Sequence, residues 1–305
     1  MSFLHLFRFF CLMILLMQST QAGKLAIVID DVGYRPIQEH QILKMPAAIS
    51  VAVLPHAPHA REMATLAHQS GHEVLIHLPM APLSKQPLEK DTLLPDMPAS
   101  EIQRIISEAV ERVPYATGLN NHMGSAMTSN LPAMQKVMQA LSHYQLYFLD
   151  SMTIANSQSV RAAAGTQVKI LKRRVFLDDS LNEADIRQQF QRAVQLAQRD
   201  GSAIAIGHPH PATVRVLQQL LPQLPANVVL VSPRALLNEI SAPAPLHREQ
   251  PQRGSREIVP GTCPVNVPHI PLSRFFSVMF GEIKQSKLCH YLHCDTWTTA
   301  ASVPE

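Results

Sequence analysis

The sequence predicts an α/β fold of repeated β-α units between Lys24 and Glu239, and two observations carry that prediction. Short apolar runs alternate with longer segments of helical period, as when strands and helices take turns. Five of the runs end on polar side chains: Leu25 to Ile29 in Asp30-Asp31, Val74 to Ile76 in His77, Thr117 to Leu119 in Asn120-Asn121-His122, Leu146 to Leu149 in Asp150, and Ala203 to Gly207 in His208. Strands with metal-type side chains at their C-terminal ends build an enzyme mouth.

In chain order, strands are expected at residues 25–30, 49–54, 73–77, 116–120, 146–150, 168–171 with 175–177, 203–207 and 228–231. Helices fit between them. The proline-rich stretch from Pro79 to Pro98 has neither period, so it reads as a loop on the active-site side. Ser100-Glu101 opens a helix whose Ile102, Ile105, Ile106, Ala109 and Val110 share one face. Pro132 and Pro211 sit where a first helical turn tolerates a missing N–H. Ser180-Leu181-Asn182-Glu183 reads as a capping box, with Ser180 as the cap.

The two ends differ from this pattern. Residues 1–22 carry His5 and Arg8, an apolar stretch from Phe9 to Met17 and small residues at Thr20 and Ala22, which reads as a secretory signal peptide cleaved after Ala22. The apolar stretch is short for a membrane span, so no stable span is expected after cleavage and the product is expected to be secreted or periplasmic. One domain of repeated β-α units is expected over 23–240. Residues 241–305 hold seven prolines between Pro243 and Pro271 and read as a poorly ordered tail, with one short amphipathic helix at about 272–283. Beyond Cys11, the cysteines are Cys263, Cys289 and Cys294, all in that tail, where an oxidising compartment allows one bridge and one leftover thiol. The Cys289 to Cys294 string does not have a standard zinc-site spacing.

A chain that is 46% hydrophobic and 16% charged has the make-up of an ordinary globular protein. Its net charge of +3 has interspersed signs and no basic stripe, so no nucleic-acid partner is expected.

A metal that activates water needs a few fixed ligands, an open position and nearby groups that move protons. Asp31, His77 and His122 supply a two-histidine, one-carboxylate set, and Asp30 and His208 are candidates for the proton work. Asn121, Asp150, Asp178 and His210 are candidates for contacting substrate or supporting the others. Each has an ordinary structural alternative: Asp and Asn end strands and form turns, His77 can be a satisfied core histidine, and the 208–211 segment can lead rigidly into a helix. Taken jointly the alternatives weaken, because so many metal-type residues stand at the same end of different strands. His56 and His59 follow the second strand and are candidates for lining the pocket, but a helix start explains them better.

Four segments in order, Lys24 to Gly33, His77-Leu78-Pro79-Met80, Asn120 to Ser125 and Ile206 to Pro211, resemble the divergent polysaccharide deacetylase family over roughly residues 24–239. The resemblance implies the distorted (β/α)7–8 barrel of the carbohydrate deacetylase and glycoside hydrolase type, with a divalent metal, usually zinc. It also implies Asp30 as base, Asp31 as metal ligand and His208 as general acid. Two departures stand out. Ala81 occupies the place of the second metal-binding histidine of the classical enzymes, with His122 as its substitute from the next strand. The string Arg112-Val113-Pro114-Tyr115 precedes the fourth strand, at the wrong end of the barrel, which leaves the base without its usual arginine. The expected function is a secreted metal-dependent hydrolase that removes N- or O-acetyl groups from a cell-envelope polysaccharide such as a peptidoglycan-type glycan. The alternative is a degenerate barrel that binds an envelope glycan or a protein partner without turnover. A glycoside hydrolase would need two opposed carboxylates, which adjacent Asp30 and Asp31 do not provide.

Overall fold

The structure, a computed structural model, describes residues 22–240. The expected signal peptide up to Gln21, and the tail from Ser241 with its cysteines and its expected helix, lie outside the described residues.

Among the described residues nine strands form one sheet: β1 (Gly23–Val32), β2 (Ser50–Val53), β3 (Val74–Met80), β4 (Ala116–Met123), β5 (Tyr147–Asp150), β6 (Ile170–Lys172), β7 (Val175–Phe176), β8 (Ser202–Gly207) and β9 (Val228–Leu230). Every pairing is parallel, in the order β6-β5-β4-β3-β2-β1-β8-β7, and β9 adds to the start of β1. The helices are α1 (Pro36–Ile42), α2 (Ala60–Gln69), α3 (Ala99–Arg112), α4 (Ser125–Thr128), α5 (Leu131–Leu141), α6 (Ser159–Ala163), α7 (Glu183–Asp200), α8 (Pro211–Leu220) and α9 (Pro233–Ile240). The sheet curls into a distorted (β/α) barrel.

The stretch expected as 168–171 with 175–177 is two strands at opposite edges of this sheet. The chain steps between them at a kink: Arg173 N donates to the Asp150 carbonyl at 3.0 Å, and Arg174 N to the Ile204 carbonyl at 2.8 Å. One broken strand thus spans the gap between β5 and β8.

Strand alternation divides the core in two. Leu25, Ile27, Ile29, Ile76 and Phe148 belong to the layer beneath the helices, with Ile102, Ile105, Ile106 and Ala109 of α3 facing them. Ala26, Val28, Ala52, Leu75, Tyr147, Leu149, Ile204 and Ile206 fill the barrel interior, together with Leu236 of α9. Tyr147 needs room there that only glycine leaves: a Cβ on Gly118 would stand 2.5 Å from its ring. The ring cannot swing away freely, because its hydroxyl donates to Glu73 Oε1 at 3.1 Å. Gly118→Ala is expected to destabilise the fold by about 1–3 kcal/mol, the range for overpacking, read as a lower denaturant midpoint with unchanged slope.

Two caps correct or refine the sequence expectation. The α7 cap is Asn182, whose side chain accepts from Ala184 N at 2.8 Å, while Ser180 instead donates to Asp185. The box spacing misled because Asn182 is itself a good cap and lies directly before the helix. Asn130 caps α5, accepting from Ala133 N, with Pro132 in the first turn.

Candidate metal centre

Where the interior stripes reach the C-terminal end of the barrel they change from apolar to polar. On β1 the inward series Ala26, Val28 continues to Asp30; on β3 Leu75 continues to His77; on β4 Gly118 continues to Asn120 and His122; on β8 Ile204, Ile206 continue to His208. Alternation alone would turn Asp31 away from Asp30. A bulge prevents that: Ile29 pairs Val51 and Val32 pairs Val53, so β1 spends three steps where β2 spends two. Asp31 takes a left-handed φ of 56° at this point, a conformation Asp adopts more readily than most residues. The loop beyond is held by buried Glu39, whose Oε1 accepts from Gly33, Tyr34 and Arg35 N at 2.9, 3.1 and 2.7 Å.

Three ligand-type atoms converge as a result. Asp31 Oδ1 lies 3.2 Å from His77 Nε2 and 3.0 Å from His122 Nδ1, and those two nitrogens are 3.1 Å apart. Asp31 Oδ1 is buried, yet none of its contacts is aligned as a hydrogen bond. A buried orphan oxygen facing two imidazole nitrogens is the arrangement a cation satisfies. Nitrogen and oxygen ligands at about 2.0–2.2 Å from a metal stand roughly 3.0–3.5 Å from one another, so the triangle has the right size. The residues present therefore fit a divalent ion, and imidazole with carboxylate suits zinc.

The neighbouring groups are set by burial and charge. Burial, partly offset by the charges of His77 and His208, raises the Asp30 carboxyl above the usual range. Burial would also raise Asp31, but its contacts with His122 and His77 outweigh that and hold it well below. His77 is lowered by burial and raised more by Asp30 and Asp31. Asp30 is 2% exposed, and the Asn120 amide nitrogen donates to both of its oxygens, at 2.8 and 3.0 Å, with Ser151 Oγ at 3.5 Å on the same nitrogen.

On the far side of Asp31, His208 Nε2 lies 4.0 Å from Asp31 Oδ2. Its Nδ1 is 2.9 Å from Asp178 Oδ1, and Asp178 Oδ2 accepts from His208 N at 2.7 Å and Thr213 Oγ1 at 2.6 Å. Burial lowers His208, but the bond to Asp178 and then the charges of Asp178, Asp30 and Asp31 raise it to about 9. His210 directly precedes α8 beside His208, makes no side-chain capping hydrogen bond, and has its Nδ1 2.7 Å from Arg35 Nη1. Asp178, His208 and His210 also form a cluster of ligand-type atoms, but Asp178 already accepts three hydrogen bonds.

Two expected supporting residues lie off the inward stripes. Asp150 faces away from the barrel interior and clamps its own loop, accepting from Met152 N, Ser157 Oγ and Ser159 Oγ at 2.8, 2.6 and 2.6 Å. Its parity explains this, since Tyr147 and Leu149 of β5 point inward. Asn121 likewise points off the stripe and ties β4 to the next loop: it accepts from Ser151 N at 2.9 Å and donates to the Met123 carbonyl at 2.6 Å. His56 pairs with Asp91 at 2.8 Å, and His59 with Glu62 at 2.8 Å. Arg112 pairs with Glu108, and Tyr115 stacks on His68 at 4.1 Å before β4 begins, so that string does not reach the mouth. The sequence marks Asn120 only as a polar strand end and carries no local signal for Thr213 or Arg173. Arg173 lies over Phe176, 3.6 Å from the ring centroid, and donates to the carbonyls of Ser151 and Met152 at 2.6 and 2.7 Å.

Residues 27–237 match the family model for divergent polysaccharide deacetylase. The chain belongs to that family. Within it, the chain is 59% identical over 306 residues to the uncharacterized protein YibQ of Escherichia coli K12, covering 97% of this chain and 94% of that one. An uncharacterized protein of Haemophilus influenzae is 45% identical over 209 residues, covering 68% of this chain and 75% of its own. The crystal structure of the uncharacterized protein ATU2773 from Agrobacterium tumefaciens C58 shares the fold, with a TM-score of 0.67 and 21% identity over 72% of this chain and 91% of that one.

Proposed function

We propose that this family member is an exported, metal-dependent hydrolase that removes acyl groups, acetyl foremost, from an amino sugar of a cell-envelope polysaccharide. The observation that carries the reading is the flanking of one ligand triangle by two proton-transfer groups: Asp30, buried beside His77 and hydrogen-bonded by Asn120, and His208, beside Asp31 and bonded to Asp178.

A divalent ion held by Asp31, His77 and His122 would supply a Lewis acid and lower the pKa of water from about 16 to about 7. Asp30 accepts the proton of the attacking water, and its raised proton affinity makes it a better base at neutral pH than an exposed aspartate. Asn120 keeps the Asp30 carboxylate oriented through both oxygens. His208 donates its Nε2 proton to the departing nitrogen while Asp178 stabilises the imidazolium. A donor that stays protonated at neutral pH suits the expulsion of an amine, a poor leaving group, and so favours N-acetyl over O-acetyl substrates.

The test is acetate release from acetylated envelope glycans and chito-oligosaccharides by metal-replete protein. Glycan binding with no release across the panel would instead favour a binding protein. Release is expected to fall on the alkaline side near pH 9, where His208 loses its proton, and Asp178→Asn is expected to move that limb toward pH 6.5. The same shift has a stability counterpart. Because the folded pKa of His208 lies above its unfolded value, its contribution is complete below about pH 6.5 and is lost as the pH rises through about 9.

A further inference from the structure

Asn120 stands where the proton-transfer side and the ligand side of the site meet. It is fully buried, with its amide nitrogen on Asp30 and its amide oxygen 2.8 Å from His77 Nδ1. The two ends of an amide have the same shape but opposite chemistry. The end facing Asp30 is the NH2, whose nitrogen lies within hydrogen-bond distance of both Asp30 oxygens. The end facing His77 is then the oxygen, which only accepts, so His77 Nδ1 carries a hydrogen. What the ring has left is Nε2, directed at Asp31 Oδ1 and His122 Nδ1.

We propose that Asn120 is a positioning residue coupling the two halves of the site: one amide aligns the Asp30 carboxylate and fixes His77 as the Nδ1–H tautomer, whose Nε2 serves as a metal ligand. The alignment of Asp30 rests on the hydrolase reading above; the tautomer does not. The device also accounts for how Asp30 is oriented, through the amide of Asn120. A neutral amide bonds to both carboxylate oxygens and adds no charge next to the ligands.

The experiment uses the full chain and three measurements: Zn2+ affinity by competition with a chromophoric chelator, NMR of the His77 ring proton in Zn2+-loaded, histidine-labelled protein, and acetate release. In the wild type, a slowly exchanging Nδ1 proton is expected. Asn120→Leu, similar in volume but unable to hydrogen-bond, is expected to lose that signal and about 10-fold or more in Zn2+ affinity, the usual cost of removing a ligand's partner. Asn120→Asp restores an acceptor for His77 but sets a second carboxylate against Asp30. It is expected to retain Zn2+ affinity near the wild-type value while acetate release stays low. A purely structural role would lower affinity and turnover together, and thermal unfolding checks that each variant is folded.

Unchanged Zn2+ affinity in Asn120→Leu overturns the proposal, as does a wild type that binds no Zn2+. If Asn120→Leu does not fold, Asn120→Asp decides, and parallel losses of affinity and turnover overturn it. A wild type that binds Zn2+ and releases no acetate defeats the hydrolase reading alone, because the affinity and NMR results still judge the tautomer.

Discussion

Asp30→Asn is expected to lower acyl release by about 100-fold or more, the scale of a general base, while fold and metal content stay at wild-type levels. The reason lies in where Asp30 stands. It is outside the ligand triangle, with its nearer oxygen 3.6 Å from His77 Nε2, and its aligned hydrogen bonds come from Asn120. An asparagine of the same shape still offers Asn120 an oxygen, and it removes a buried negative charge that burial already disfavours. The loss should therefore fall on kcat, with little change in glycan affinity, since proton transfer matters in the transition state and not in the ground state. Turnover within a few-fold of wild type would remove Asp30 from the mechanism.

The general form of this site was legible in the sequence because the barrel enforces a period of two. Ala26-Val28-Asp30, Leu75-His77 and Ile204-Ile206-His208 can each be read as one stripe turning from apolar to polar. The same parity, applied one residue further, separates Asn120 from Asn121 and sends Asp150 outward. The adjacent pair Asp30-Asp31 hid the essential irregularity: only the bulge and the left-handed Asp31 let neighbouring carboxylates serve one site, and no local pattern announces them. Arg173 was equally hidden, because its place depends on a kink between two strands whose pairing partners lie far apart in the chain. Ser180 shows the opposite failure, a motif present in sequence but displaced by a better cap two residues later.

The double variant His77→Ala, His122→Ala is expected to lose tight divalent-metal binding altogether, by more than the roughly 100-fold that loss of a supporting partner can cost. Asp31 would keep its bulge-imposed position, since Glu39 holds the loop through backbone groups and touches neither histidine. One carboxylate oxygen in a cavity vacated by two imidazoles is a poor zinc site, because the ion would have to shed water for too few ligands. Metal content after purification without chelator or added metal measures this directly. Stability supplies an independent readout: an ion that binds only the folded protein raises its melting temperature by mass action, so a chelator should lower that of the wild type and leave the double variant unchanged. Full occupancy in the double variant would place the ion elsewhere, and a chelator-sensitive melting temperature without His77 and His122 would say the same by a second route.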